Sequence, residues 1–297
     1  MIEVKNVVKE FDGFRALDGM TMTVPEGSVY GLVGPNGAGK STIIRHVTGI
    51  YKQDSGEVLV NGAPVFENPE VKSRIAYIPD DIFYFNNASI HEMTKFYRSI
   101  YKTFDEERFK KLGEVFNLDP KRQMRRLSKG MQKQAAFWMA VSMHPDILVL
   151  DEPVDGLDPV MRRQIWSIVM ADVVENGTTV LVSSHNLREL EDVCDHVGIM
   201  NGGKVMIERS LSDLQENIVK IQLALPDGGE LPADLDILHK SSTGRLQSLI
   251  MHGNRDELTE KLQASKPLFM DIVPLTLEEI FIYELGGADY EVKDIVL

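Results

Sequence analysis

Residues 28–44 read SVYGLVGPNGAGKSTII, and this stretch limits the fold more than any other part of the chain. The spacing G-x-x-x-x-G-K-S from Gly34 to Ser41 sits between a short β-branched run and a helical pattern, the setting that a phosphate-binding loop requires. Glycines at 34, 37 and 39 let successive backbone N–H groups turn inward, and the helix that follows adds its positive N-terminal end. Lys40 can then reach the β- and γ-phosphates, and the Ser41 hydroxyl suits Mg²⁺. The whole loop, Gly34, Pro35, Asn36, Gly37, Ala38, Gly39, Lys40, Ser41 and Thr42, is expected to cradle a nucleoside triphosphate.

The rest of the chain supplies a frame for such a loop. Segments 28–34, 74–80, 146–153 and 178–185 are short and β-branched, and the opening MIEVKNVVKEF alternates like a strand. Residues 197–208 read as a hairpin turning at Asn201, Gly202 and Gly203. Ile90, Met93, Tyr97 and Ile100 recur at helical spacing behind Ser89, a good N-cap, and residues 105–118 repeat the pattern. Strands alternating with helices predict a parallel α/β sheet, here with a helical insertion at 82–140. Beyond residue 211 the texture changes. IVKIQLAL, LQSLIMHG and PLFMDIVPL read as strands, and NRDELTEKLQ and TLEEIFIYEL as helices opening on capping boxes, Asn254 with Glu257 and Thr276 with Glu279. Pro226, Gly228 and Gly229 mark a turn. The expected division is a nucleotide-binding domain at 1–211 and a small α+β accessory domain at 212–297.

A second chemical feature is ILVLDEP, residues 147–153, an apolar strand ending in two carboxylates. Two bare charges inside a core are costly, so Asp151 and Glu152 are expected at the carboxyl end of the strand, where α/β sheets bind ligands. Asp151 then suits Mg²⁺, and Glu152 suits the group that positions or deprotonates an attacking water. The bulk properties narrow the partners. A net charge of −13 disfavours both a nucleic-acid surface and adhesion to an anionic bilayer. No apolar run approaches the ~20 residues of a membrane-spanning helix. The lone Cys194 cannot form an internal disulfide, which fits a reducing cytoplasm.

The order of the phosphate loop, LSKGMQ (127–132), LVLDEP, DGLDP (155–159) and SSH (183–185) resembles the ATP-binding subunits of ABC transporters, over about residues 1–210. LSKGM in place of LSGGQ, together with TLEEIF near the C-terminus, is most similar to bacterial exporter-type ATPases such as the bacitracin, lantibiotic and acetoin-related ones. The resemblance implies a P-loop NTPase fold and an ATPase that uses ATP and Mg²⁺. It also implies a working dimer, of identical or different ATPase protomers, docked on separate transmembrane permease subunits. The chain would then be cytoplasmic and peripheral at the inner face of the cell membrane. Ser128 and Gly130 would complete the nucleotide site of the opposite protomer, an answer to why LSKGMQKQ carries no chemistry of its own. His185 matches a switch histidine at the γ-phosphate, Asp158 a loop that meets the partner's phosphate loop, and Phe11, with Phe14 nearby, an adenine-stacking aromatic. Asp80 stands where the family usually has glutamine, with Asp81 beside it, and is a candidate metal contact. A soluble ABC ATPase of translation or DNA maintenance is the alternative; such proteins usually carry two cassettes or long coiled-coil arms, and this chain has one phosphate loop.

Overall fold

The N-terminal alternation forms β1 (Ile2–Phe11), paired antiparallel with β2 (Phe14–Val24). The chain then opens a second sheet with β3 (Val29–Val33), whose residues are all buried, and passes through the glycine-rich loop into α1 (Lys40–Val47). It returns to the first sheet with β4 (Ser55–Val60), antiparallel to β1, and the two-residue edge β5 (Ala63–Pro64). This computed structural model describes residues 1–211, 213, 218–226, 229, 231–232 and 234–285. By density of contact the chain divides into two units: Met1–His185 with Val193–Glu208, and Asn186–Asp192 with Arg209–Leu297.

In the first unit a short helix, α2 (Pro69–Lys72), precedes β6 (Ile75–Ile78). The predicted helical stretch follows as α3 (Ile90–Ile100), α4 (Glu106–Phe116) and α5 (Lys129–Val141). Ser89 caps α3 in a reciprocal box with Glu92, and Asp105 caps α4. Gly113 lets α4 approach α5 closely: a Cβ there would lie 2.7 Å from the Trp138 ring, which stacks on Phe109. Then come β7 (Ile147–Asp151), α6 (Pro159–Asn176), β8 (Thr179–Ser184), β9 (His196–Asn201) and β10 (Lys204–Ser210). The six-stranded sheet runs β10-β9-β3-β8-β7-β6, with β9, β3, β8, β7 and β6 joined by parallel pairing. Strands β3, β7 and β8 are buried along their whole length, as parallel strands covered on both faces must be. The core beneath α1 gathers Tyr30, Leu32, Ile43, Ile44, Val149, Leu181 and Met200. The β9–β10 turn has Gly202 and Gly203 at positive φ, as the hairpin reading requires. Burial pushes the Cys194 thiol up, so this cysteine is an inert packing group.

The second unit is built on a four-stranded sheet, β12-β13-β11-β14. Its strands are β11 (Ile218–Ala224), β12 (Ile237–Thr243), β13 (Leu246–His252) and β14 (Phe269–Val273), and neighbours pair antiparallel. Strand β12 was not expected. Its ILHKSST sequence is mostly polar and exposed, so it carries no alternating apolar signal. Helix α7 (Arg255–Gln263) follows β13, and α8 (Leu277–Leu285) follows β14. Thr276 and Glu279 exchange both capping bonds at the start of α8. At α7 the cap is one-sided among the described residues: Asn254 accepts from the N–H groups of Asp256 and Glu257, with no return bond from Glu257. Of the predicted turn, Gly229 bonds back to the Pro226 carbonyl, and Gly228 lies outside the described residues.

Candidate functional site

Parallel register brings four strand ends to one line. Val33 pairs with Ser184, Asp151 with Ser183, and Leu150 with Ile78, so the loops after β3, β6, β7 and β8 leave the sheet side by side. The loop after β3 is shaped by its glycines. Gly37 and Gly39 have φ of +85° and +105°, and a Cβ on Gly34 would lie 2.2 Å from the Met200 carbonyl oxygen. Ala38 is buried and its N–H reaches back to the Pro35 carbonyl, while Asn36 and Gly37 are exposed. Gly39 caps α1 without any side chain, which leaves the first amides of the helix free of side-chain caps. Thr42 is half-buried one turn into that helix, its carbonyl 2.7 Å from His46 Nδ1. Burial pushes the His46 pKa down, so its ring adds no charge to this end.

Charge gathers at the head of the loop. Lys40 is 6% exposed and its Nζ donates to the carbonyls of Gly34, at 2.6 Å, and Pro35, at 3.3 Å. The same nitrogen lies 3.6 Å from Glu152 Oε1. Asp151 is 3% exposed, and its Oδ1 accepts from the hydroxyls of Ser41 and Ser183, at 3.2 and 2.6 Å. No ion pair among the described residues neutralises it, an expensive condition for a buried carboxylate. Glu152 Oε2 accepts from His185 Nδ1 at 2.9 Å and from the His185 N–H at 3.3 Å. Lys40, Ser41, Asp151, Glu152 and His185 therefore form one group drawn from three loops.

The remaining candidates lie elsewhere. Ser128 caps α5, its hydroxyl accepting from the Met131 N–H, and no hydrogen bond among the described residues joins it to the phosphate loop. Gly130 packs on the DGLDP segment, where a Cβ would lie 3.2 Å from the Gly156 carbonyl oxygen. Asp158 is exposed and caps α6 through the Val160 and Met161 N–H groups. Phe11 is 38% exposed and meets the Tyr51 ring edge-on at 5.5 Å, while Phe14 is more exposed. Asp80 is exposed, and its Oδ1 accepts from Lys133 Nζ at 3.1 Å. Sequence reasoning missed two partners of the central group. Ser183 was read only as part of SSH, and Lys133 as one more polar position in LSKGMQKQ.

A glycine nest at a helix start, with a lysine, a buried carboxylate and a second carboxylate at the carboxyl edge of a parallel sheet, defines a P-loop nucleoside triphosphatase. Known proteins narrow the class. The family model described as ABC transporter matches residues 17–155. The daunorubicin/doxorubicin resistance ATP-binding protein DrrA of Streptomyces peucetius is 34% identical over 233 residues, 75% of this chain and 70% of that protein. The ABC transporter ATP-binding protein YtrB of Bacillus subtilis (strain 168) is 29% identical over 288 residues, 97% of this chain and 99% of that one. A solved structure of an ATP-binding subunit of an ABC transporter shares 27% identity at a TM-score of 0.67, covering 72% of this chain and 92% of its own. The chain belongs to the ABC transporter ATP-binding family and is an ATPase of that family.

Proposed function

We propose that this chain powers an exporter, and that ATP is held between it and a second ATPase protomer, identical or different. The observation that carries the reading is the separation of the two halves of the site. The loop, Asp151, Glu152 and His185 are joined by hydrogen bonds and an ion pair. Among the described residues the Ser128 hydroxyl has no bond to them, and α5 reaches them through the Lys133 side chain, not through its N-terminal amides. A hydroxyl and a helix N-terminus both stabilise phosphate charge, so a second copy can supply them. Export is supported by the resistance function named for the Streptomyces relative. No helix among the described residues is long and apolar enough to cross a membrane, and in this reading separate permease subunits carry the substrate path. That docking would hold the chain at the inner face of the cell membrane. The net charge of −13 supports a protein partner over nucleic acid.

Within the site, Lys40 and the loop amides bind the phosphates, with Phe11 stacking on the base and Asp158 meeting the partner's loop. Glu152 orients and deprotonates the attacking water, and His185, which already holds its Oε2, keeps the carboxylate aimed. Mg²⁺ fits the donors present. Ser41 and Asp151 offer two hard oxygens 3.2 Å apart, and Asp151 is a buried carboxylate without a cation. Among the described residues no three His, Cys, Asp or Glu side chains are placed to hold a metal ion together, and the phosphates would complete its shell. Bound there, the ion would neutralise charge on the β- and γ-phosphates. A complementation test decides the shared site. Lys40→Ala and Ser128→Arg are each expected to be inactive. Mixed in a homodimer, they should restore ATPase through one intact composite site. Full activity of Ser128→Arg alone would overturn the reading.

A further inference from the structure

Lys133 carries none of the chemistry assigned to the hydrolytic group, yet it and Lys40 are the two buried lysines among the described residues. An ammonium buried to 6% exposure is costly unless acceptors take up its protons. Two do. Lys133 Nζ donates to the Glu152 carbonyl at 2.7 Å and to Asp80 Oδ1 at 3.1 Å. The strand register explains how these acceptors come together: Ile78 and Leu150 are paired, and Asp80 and Glu152 each follow two residues later. The lysine reaches them from α5, three residues after Gly130 and on the same face of the helix.

Glu152 is also the strained member of its group. Its φ is +47°, a left-handed backbone that a non-glycine residue keeps only when its surroundings hold it there. Each polar part of the residue has a holder. Ser183 takes the Glu152 N–H through its carbonyl and hydroxyl, His185 takes the carboxylate, and Lys133 takes the carbonyl. With the peptide planes on both sides of the Glu152 Cα held, the direction in which the side chain leaves that Cα is fixed.

We propose that Lys133 is a positioning residue for hydrolysis: by donating to the Glu152 carbonyl it holds the left-handed turn that aims the carboxylate, and with Asp80 as counter-ion it ties that turn to the signature helix α5 and to the loop after β6. This rests on the reading of Glu152 as the hydrolytic base. Seating of the signature helix against a nucleotide would then be felt at the base through one side chain, without passage through the phosphate loop.

The test compares Lys133→Met, Lys133→Ala and Lys133→Gln in the full chain, by steady-state ATPase and by calorimetric ATP affinity. Lys133 lines a cleft of about 400 Å³ with Asp80, Tyr84, Gln132 and Asp155, so the alanine opens into existing space and not into a sealed void. It therefore serves if the methionine variant does not fold. The donor-less variants should lose at least about tenfold in kcat with ATP affinity within about threefold of wild type, a difference of one such factor being ~1.4 kcal/mol in the barrier. Lys133→Gln, whose amide still donates, should recover to within about threefold of wild type. In a Glu152→Ala background the Lys133 substitutions should cost nothing further, because the group they act through is gone. Wild-type kcat in the donor-less variants overturns the proposal, as does a glutamine variant that folds and is as slow as the alanine. If Glu152→Gln itself turns over normally, the reading of the base has failed instead, and the two failures are distinguishable.

Discussion

The two units of this chain both place charged residues on sheets, but to opposite ends. In the first, strands β3, β6, β7 and β8 run in one direction, so their carboxyl ends share an edge and the groups beyond them converge on one another. Lys40, Asp151 and Glu152 are buried or nearly so, and among the described residues Asp151 has no ion pair. In the second unit neighbouring strands are antiparallel, so the four described strands share no single carboxyl edge and polar side chains are spread by alternation. Val219, Ile221 and Leu223 enter the core while Lys220 and Gln222 take the other face. It carries the ion pairs Lys220 with Glu279, Arg188 with Glu278 and Lys261 with Asp234. A site needs groups left wanting a partner, and direction of pairing decides where a sheet can leave them.

That contrast can be broken by matched substitutions. The largest effect is expected at the base: Glu152→Gln should cut turnover by roughly 10²–10⁴-fold while ATP still binds, and Glu279→Gln in the second unit should leave turnover unchanged. Steady-state ATPase with parallel calorimetry checks both. Equal losses from the two variants would mean that the second unit takes part in the chemistry. Next in size is the loop lysine. A charge-assisted hydrogen bond contributes ~1.5–3 kcal/mol, so Lys40→Ala should weaken ATP binding by roughly ten- to a hundredfold. Lys220→Ala, which removes an equally partnered lysine from the other sheet, should leave the affinity alone. ATP affinity untouched by Lys40→Ala would remove the phosphate-loop reading altogether.

How much of this could be read beforehand follows the same division. The loop, its strand and its helix were legible because each signal is local: glycines with positive φ at 37 and 39, a β-branched run before them, helical spacing after. Ser89, Thr276 and the 202–203 turn were legible for that reason too. Pairing across distance was not. Nothing in β1 tells of β4, which joins it at Ile2 and Val60, nor does the sequence give the strand order of the large sheet. Lys133 was invisible for a related reason. A lysine on a helix reads as solvated, and its two acceptors stand 53 positions before it and 19 after. Likewise Asn186–Asp192 lies between the SSH motif and β9, yet it clusters with residues after 209. Its reasons, Arg188 on Glu278 and Glu191 on the Leu277 N–H, are visible only once α8 is in place.

Glu191 gives the smallest of these effects and sharpens the comparison from the side of the second unit. Its Oε1 accepts from the Leu277 N–H at 3.0 Å, at the start of α8. Burial pushes its pKa above the usual carboxylate range; the Leu277 bond opposes this, and Asp192, Glu278 and Glu279 add to it. A carboxyl raised in the folded state binds its proton more tightly there than in the unfolded chain. Stability is therefore favoured below the unfolded value, declines as pH rises toward the folded pKa, and stays lower above it. Glu191→Gln keeps an oxygen to accept from Leu277 and removes the charge, so at pH 7 it should raise the melting temperature, by on the order of 1 °C. The gain should shrink toward zero as the pH is lowered through the carboxylate range, where the wild-type side chain becomes neutral as well. Melting curves of both proteins from pH 4 to pH 8 measure it. A gain that is constant across that range would show that the charge of Glu191 is irrelevant. A loss at every pH would show that the glutamine has broken the bond to Leu277, and the pairing that sets this unit apart would then depend on the carboxylate itself.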